Sequence, residues 1–179
     1  KIINKNSSDI QEVSSVFSIP ALSKNDIRYK KSLGGGGLLD VGFYPISIMV
    51  SLFGMPISIK AQGIRNTEYE VCLKGSALLK YKRFIATVRW GINSKYENNF
   101  TFSNSTETYS FDRVFSKPYD YETDYTIKDA KNKITRHKIG KDDHFVNMLE
   151  SFLFHKSQIN DKYNTLNISK VISKIDSQI

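Results

Sequence analysis

The chain has 179 residues, 40% hydrophobic and 25% charged, which suits one well-buried domain and is too short for two of ordinary size. Its 26 basic and 18 acidic residues leave a net charge of +8, which favours anionic partners in general. Yet the lysines are dispersed, no basic helix marks a nucleic-acid interface, and no apolar run is long and uninterrupted enough to cross a bilayer, so neither nucleic acid nor membrane is an expected partner.

Cys72 is the single cysteine and excludes an internal disulfide; a reducing cytoplasm is the expected compartment. The opening Lys-Ile-Ile-Asn-Lys-Asn lacks a signal-peptide core and an initiator methionine, and reads as a helix end cut from something upstream. Residues 11–19 alternate as a strand, with Val13, Ser15, Phe17 and Ile19 on one side, and Pro20 closes it. Residues 21–33 read as a loop carrying Asn25, Asp26, Arg28, Lys30 and Lys31 towards four glycines, Gly34 to Gly37. A nearly all-apolar helix over 38–53 follows, stopped by Gly54 and Pro56. Apolar on almost every side, it is expected to be buried. Asp40 and Tyr44 lie four apart and share a face on a helix.

After Pro56 the pattern turns to strands: 57–64, 70–82, 83–92, 96–103, 108–116, 125–129 and 134–139, joined by polar turns. Adjacent strands without intervening helices argue for an antiparallel sheet. Two amphipathic helices end the chain, over 142–157 with Asp142 or Asp143 as cap, and over about 167–179. The expected fold class is α+β: an open, largely antiparallel β-sheet with helices packed on one face.

The stretch Gly-Gly-Gly-x-Leu-Leu-Asp-Val-Gly-x-Tyr-Pro-Ile-Ser, preceded by Asn-x-x-Arg-Tyr and followed by Leu-Phe-Gly-x-Pro-Ile, resembles the carboxy-terminal substrate domain of the Gfo/Idh/MocA oxidoreductases. The resemblance is dense from about Phe17 to Ala61 and looser up to Asp143-His144-Phe145-Val146-Asn147-Met148-Leu149. It implies that residues 1–179 form one C-terminal substrate-binding domain whose N-terminal Rossmann partner is absent from this chain. It implies a sugar or nucleotide-sugar substrate, with NAD or NADP held mainly by the missing domain and none expected on this fragment alone. It implies a homodimer or homotetramer formed through the open sheet. Trp90, Tyr96, Phe100 and Phe102 are candidate interface residues, and a non-catalytic binding or oligomerisation module on the same fold is the alternative.

Hydride transfer at a sugar carbon needs an acid or base for the oxygen. The resemblance places the proton donor at Tyr44 and its acidic partner at Asp40. Read from the residues alone, Asp40 is equally a first-turn acid favoured by the helix dipole, and Tyr44 a core aromatic. Arg28 can grip a phosphate or carboxylate and is a candidate substrate or cofactor contact. Gly36 and Gly37 are candidates because glycine permits close backbone approach to a ligand, though a tight turn into the helix explains them as well. Gly34 to Asp40 do not form the dinucleotide fingerprint. His144, at the start of the penultimate helix, is a further candidate; His137 and His155 read as surface residues. Three scattered histidines and one cysteine make no recognisable metal site.

Overall fold

Eight strands form one sheet: β1 (Glu12–Ser18), β2 (Ser58–Asn66), β3 (Val71–Lys80), β4 (Ile85–Gly91), β5 (Glu97–Ser103), β6 (Glu107–Asp112), β7 (Thr123–Asp129) and β8 (Ile134–Gly140). The computed structural model describes residues 9–66, 68–154 and 158–179; the helix end expected over residues 1–6, and His155, lie outside them. The spatial order is β2-β3-β4-β1-β5-β6-β7-β8. β1 runs parallel to β4 and antiparallel to β5, and the remaining pairs are antiparallel. The first strand is thus the middle one, and the α+β expectation holds.

Strand alternation sorts the two faces. Val13 pairs with Ala86 on one side and Phe102 on the other, Ser15 with Val88 and Phe100, Phe17 with Trp90 and Asn98. All of these are buried. Trp90, Phe100 and Phe102 therefore belong to the core, at 3%, 2% and 1% exposure, which corrects their reading as interface residues. Their register puts them on the helix-bearing face, and Phe102 stacks on Tyr109 with ring centres 4.6 Å apart. The opposite face carries Ser14, Val16, Thr87, Arg89, Asn99 and Thr101, polar or half-exposed side chains for the most part.

The glycine run leads into a π-helical turn, Leu38–Gly42, which continues as α1 (Phe43–Phe53). This unit lies on the middle of the sheet. It buries Leu38, Val41, Pro45, Ile46, Met49 and Val50, and leaves Leu39, Phe43, Tyr44 and Leu52 exposed. The expectation of burial on every side is corrected here: a single layer of strands covers only one flank of a helix. α2 (His144–Leu153) follows β8, and α3 (Gln158–Asp176) packs beside α1 and β2 through Ile168, Val171, Ile172 and Ile175. Asp143 caps α2, its carboxylate accepting from the amides of Phe145 (3.0 Å) and Val146 (3.2 Å). α2 buries none of its residues, so helices α1 and α3, not α2, make the layer on the sheet.

One expectation about length also changes. The 23 residues Lys31–Phe53 contain an 18-residue window of mean hydropathy 1.5, enough by length and composition to cross a membrane. Half of that window is buried within the fold, and the segment breaks into a 3₁₀ turn, a π turn and an α-helix. That is how a core helix meets the same composition.

Packing between the helix and the sheet depends on glycine. A Cβ at Gly37 would come within 2.2 Å of the Leu73 carbonyl oxygen, one at Gly42 within 3.1 Å of the Trp90 ring, and one at Gly75 within 2.3 Å of it. Backbone cannot give way as a flexible side-chain end can, so Gly37→Ala is expected to destabilise the fold by about 1–3 kcal/mol or more. Gly34→Ala, where φ is +73° but nothing lies within 4 Å, should cost only about 1–2 kcal/mol for the left-handed backbone. Urea unfolding of the two variants beside the parent chain tests this order; equal losses would mean that the Leu73 contact is soft.

Candidate functional site

Several chain segments meet at one rim of the sheet. Ser18 pairs with Gly91 and Glu97, and Asn99 with Asp112, so the ends of β1, β4 and β6 and the start of β5 lie together. The first turn of α1 brings Phe43 and Tyr44 to this edge. Tyr44 rests edge-on against Phe17 (5.4 Å between ring centres) and beside Phe115 (6.3 Å). Its ring is thus held by the wall while 44% of the residue stays open to solvent. Among the described residues its hydroxyl makes no hydrogen bond. Leu39 and Phe43 extend the same exposed apolar strip.

Asp40 and Tyr44 are not bonded to each other. The Asp40 carboxylate accepts from Arg28 Nε at 2.7 Å. Arg28 in turn donates through Nη1 to both oxygens of Asp26, at 3.2 and 3.3 Å. Asp26 also accepts from the Arg28 amide at 2.9 Å, as the cap of a short 3₁₀ turn. Hydrogen bonding to Asp40 raises the guanidinium further above its already high value, and the Arg28 amide, followed by its guanidinium, holds the Asp26 carboxyl below the ordinary carboxylate value. Arg28 is therefore clamped between two acids, with two of its three nitrogens engaged.

The glycines turn inward. Gly36 donates to the Arg28 carbonyl and Gly37 to the Cys72 carbonyl, both at 2.8 Å. Gly36 has φ +124°, and both are buried; they press the loop onto β3. His144 stands exposed at the start of α2 beside Phe145 (4.6 Å). Its segment reaches the rim through Lys117, whose Nζ donates to the Asp142 carbonyl at 3.0 Å. His137 is half-buried and stacks on Tyr125 at 4.9 Å. Among the described residues no cluster of histidine, cysteine and acid could hold a metal.

Sequence reasoning missed the loop after β6. It supplies Phe115 to the wall and places Arg113 5.2 Å from the ring centres of Tyr96 and Tyr121. The only signal was compositional: Arg113, Phe115, Tyr119 and Tyr121 crowd into nine residues.

Residues 5–110 match the GFO/IDH/MocA C-terminal domain, which is more than half of the chain. The chain belongs to the GFO/IDH/MocA family. It is 33% identical over 116 residues to a dTDP-3,4-didehydro-2,6-dideoxy-alpha-D-glucose 3-reductase of Actinomadura kijaniata, a match covering 64% of this chain and 35% of that protein. It is 26% identical over 149 residues to the enzyme of the same name from Streptomyces antibioticus, covering 81% and 44%. The fold agrees with that of a 3-ketoreductase from Actinomadura kijaniata solved with NADP and TDP-benzene, at TM-score 0.91 and 24% identity over 99% of this chain and 57% of the other. An aldose-aldose oxidoreductase from Caulobacter crescentus solved with glycerol shares it at TM-score 0.77, 16% identical over 97% and 56%. The chain thus spans less than half of the curated relatives it matches.

The Asp26 carboxyl gives a pH test of the clamp. Its folded pKa lies below the unfolded value of about 3.9, so its contribution is present above that value and lost as pH falls through the folded one. Asp26→Asn should be less stable than the parent at neutral pH and flatten the acid limb of the thermal-unfolding curve, the two proteins converging at low pH. An unaltered acid limb would show that the Arg28 clamp does not involve Asp26 in solution.

Proposed function

We propose that this domain is the substrate-binding and catalytic half of an NAD(P)-dependent oxidoreductase that reduces a keto group on a nucleotide-activated sugar. The observation that carries the reading is the Tyr44 phenol, held by an aromatic wall at the first turn of α1, exposed, and without a partner for its hydroxyl among the described residues. The curated relatives named as dTDP-sugar 3-reductases support the substrate class.

Leu39, Phe43 and Tyr44 form an exposed apolar strip against which a dihydronicotinamide would rest. The chain has no glycine fingerprint in its 34–40 run to cradle a pyrophosphate, so the dinucleotide itself would be held by a Rossmann domain on a preceding segment. When bound, the reduced cofactor supplies the hydride to the carbonyl carbon. Tyr44 then donates its hydroxyl proton to the carbonyl oxygen as negative charge develops there, and the phenolate is reprotonated from solvent. Arg28 fixes the Asp40 carboxylate one turn away, where it can orient a sugar hydroxyl.

The uncovered face of the sheet, across β1, β4 and β5, is the surface on which we place self-association as a homodimer or homotetramer. Its polar side chains suit a wet interface more than an obligate apolar one.

The test uses the polypeptide that joins this chain to its nucleotide-binding domain. NADH and NADPH are titrated by nicotinamide fluorescence, and single turnover is followed with dTDP-keto-sugars. The parent protein should bind cofactor and turn over, and Tyr44→Phe should bind equally but lose the chemical step by ~100-fold or more. If neither cofactor binds, or the variant reacts like the parent, the domain is a binding module and Tyr44 a wall residue.

A further inference from the structure

Asp26 and Asp40 already compensate the charge of Arg28, so a nucleotide sugar at this rim calls for a further cation. Arg113 fits that need. It directly follows β6 with φ at +51°, a conformation uncommon for a residue with a side chain. Its amide donates to the Asn98 carbonyl at 2.8 Å.

Asn98 is 1% exposed, and its side chain bonds both to this loop and to Tyr96. Nδ2 donates to Tyr96 Oη (3.1 Å) and to the Ser116 carbonyl (3.0 Å), and Oδ1 accepts from the Phe115 amide (2.8 Å). One buried amide thus fixes the loop backbone and one of the two rings that hold the guanidinium. The other ring, Tyr121, is set by a turn in which its amide donates to the Pro118 carbonyl at 3.1 Å.

A guanidinium drawn to aromatic faces keeps its N–H edge for acceptors in its own plane. Among the described residues no carboxylate pairs with that of Arg113, although Asp120 lies in the same loop. Lys117 is a second cation in the same loop, one of its protons given to the Asp142 carbonyl. The path from Arg113 to the reactive phenol is continuous: Tyr96 lies 6.5 Å from Phe17, and Phe17 lies 5.4 Å from Tyr44. Such a preset, unpaired guanidinium suits bidentate contact with phosphoryl oxygens.

We propose that Arg113, held by the rings of Tyr96 and Tyr121, grips the diphosphate of a nucleotide sugar whose sugar ring reaches Tyr44. This rests on the oxidoreductase reading for the substrate class, but not for the anion site itself. Phosphoryl oxygens could also come from the cofactor, and the two sources separate by titration.

Thymidine diphosphate, thymidine and NADPH are titrated into the cofactor-binding polypeptide and its Arg113→Gln and Tyr121→Leu variants, with circular dichroism to verify folding. Arg113→Gln should weaken thymidine diphosphate by ~10-fold or more, flatten its salt dependence, and leave thymidine and NADPH unchanged. Tyr121→Leu keeps the charge but frees it and should give a smaller loss of the same selectivity; it decides the matter if Arg113→Gln fails to fold. Unchanged diphosphate affinity overturns the proposal even if the protein turns over. A loss confined to NADPH overturns it too, reassigning the arginine to the cofactor. If the parent binds no NADPH but holds thymidine diphosphate through Arg113, the site stands and the oxidoreductase reading falls.

Discussion

The indole of Trp90 sits where glycines have removed the side chains that would meet it. Gly42 above it and Gly75 beside it leave room for the ring, and Gly37 brings the loop down until its amide bonds to β3. The π turn between Gly37 and Gly42, closed by the Gly42 amide on the Gly37 carbonyl at 2.8 Å, adds the residue that lets the backbone pass over the ring. π turns of this kind are often found at functional positions. Without that slot the helix would ride higher on the sheet, and Tyr44 could not rest against Phe17. Close packing at Trp90 has a cost: among the described residues its buried Nε1–H has no acceptor, a loss of the order of 1–3 kcal/mol.

From this seat the helix divides its work. Its inner flank, through Ile46, Met49 and Val50, is ordinary core. Its outer flank, through Leu39, Phe43 and Tyr44, remains apolar and open. Exposed apolar side chains in a contiguous strip mark a surface made to be covered. A sequence that is apolar all round suggests a helix buried all round, and that inference failed because composition cannot distinguish burial in this domain from burial against another body. The membrane-like hydropathy of Lys31–Phe53 has the same origin.

Much of the fold was legible, because it rests on local periodicity. The strands from Val13 to Ile139 follow from alternation and turn residues to within a few positions, and Asp143 is the cap that its place before Phe145 suggests. What alternation did not disclose is which neighbour a strand finds. β1 enters the middle of the sheet, beside β4 from seventy residues later, and so makes Phe100 and Phe102 core instead of surface. Long-range pairing of that kind is written in no local pattern.

The site divides along the same line. Tyr44, Asp40 and Arg28 lie in the stretch whose motif carries the family resemblance, and the structure shows the acid–arginine pairing that spacing could not. Arg113 lies beyond the matched residues 5–110, in a loop whose place is set by Asn98, fifteen positions earlier and on a different strand. A polar residue whose side chain is committed to holding a loop and a ring is a costly thing to bury. Its burial is compensated only while the loop stays in one conformation, and that conformation holds the backbone of Arg113 in the left-handed region. The strain at Arg113 and the satisfaction of Asn98 are therefore one arrangement, and it fixes a cation at the rim where the phenol of Tyr44 is already held.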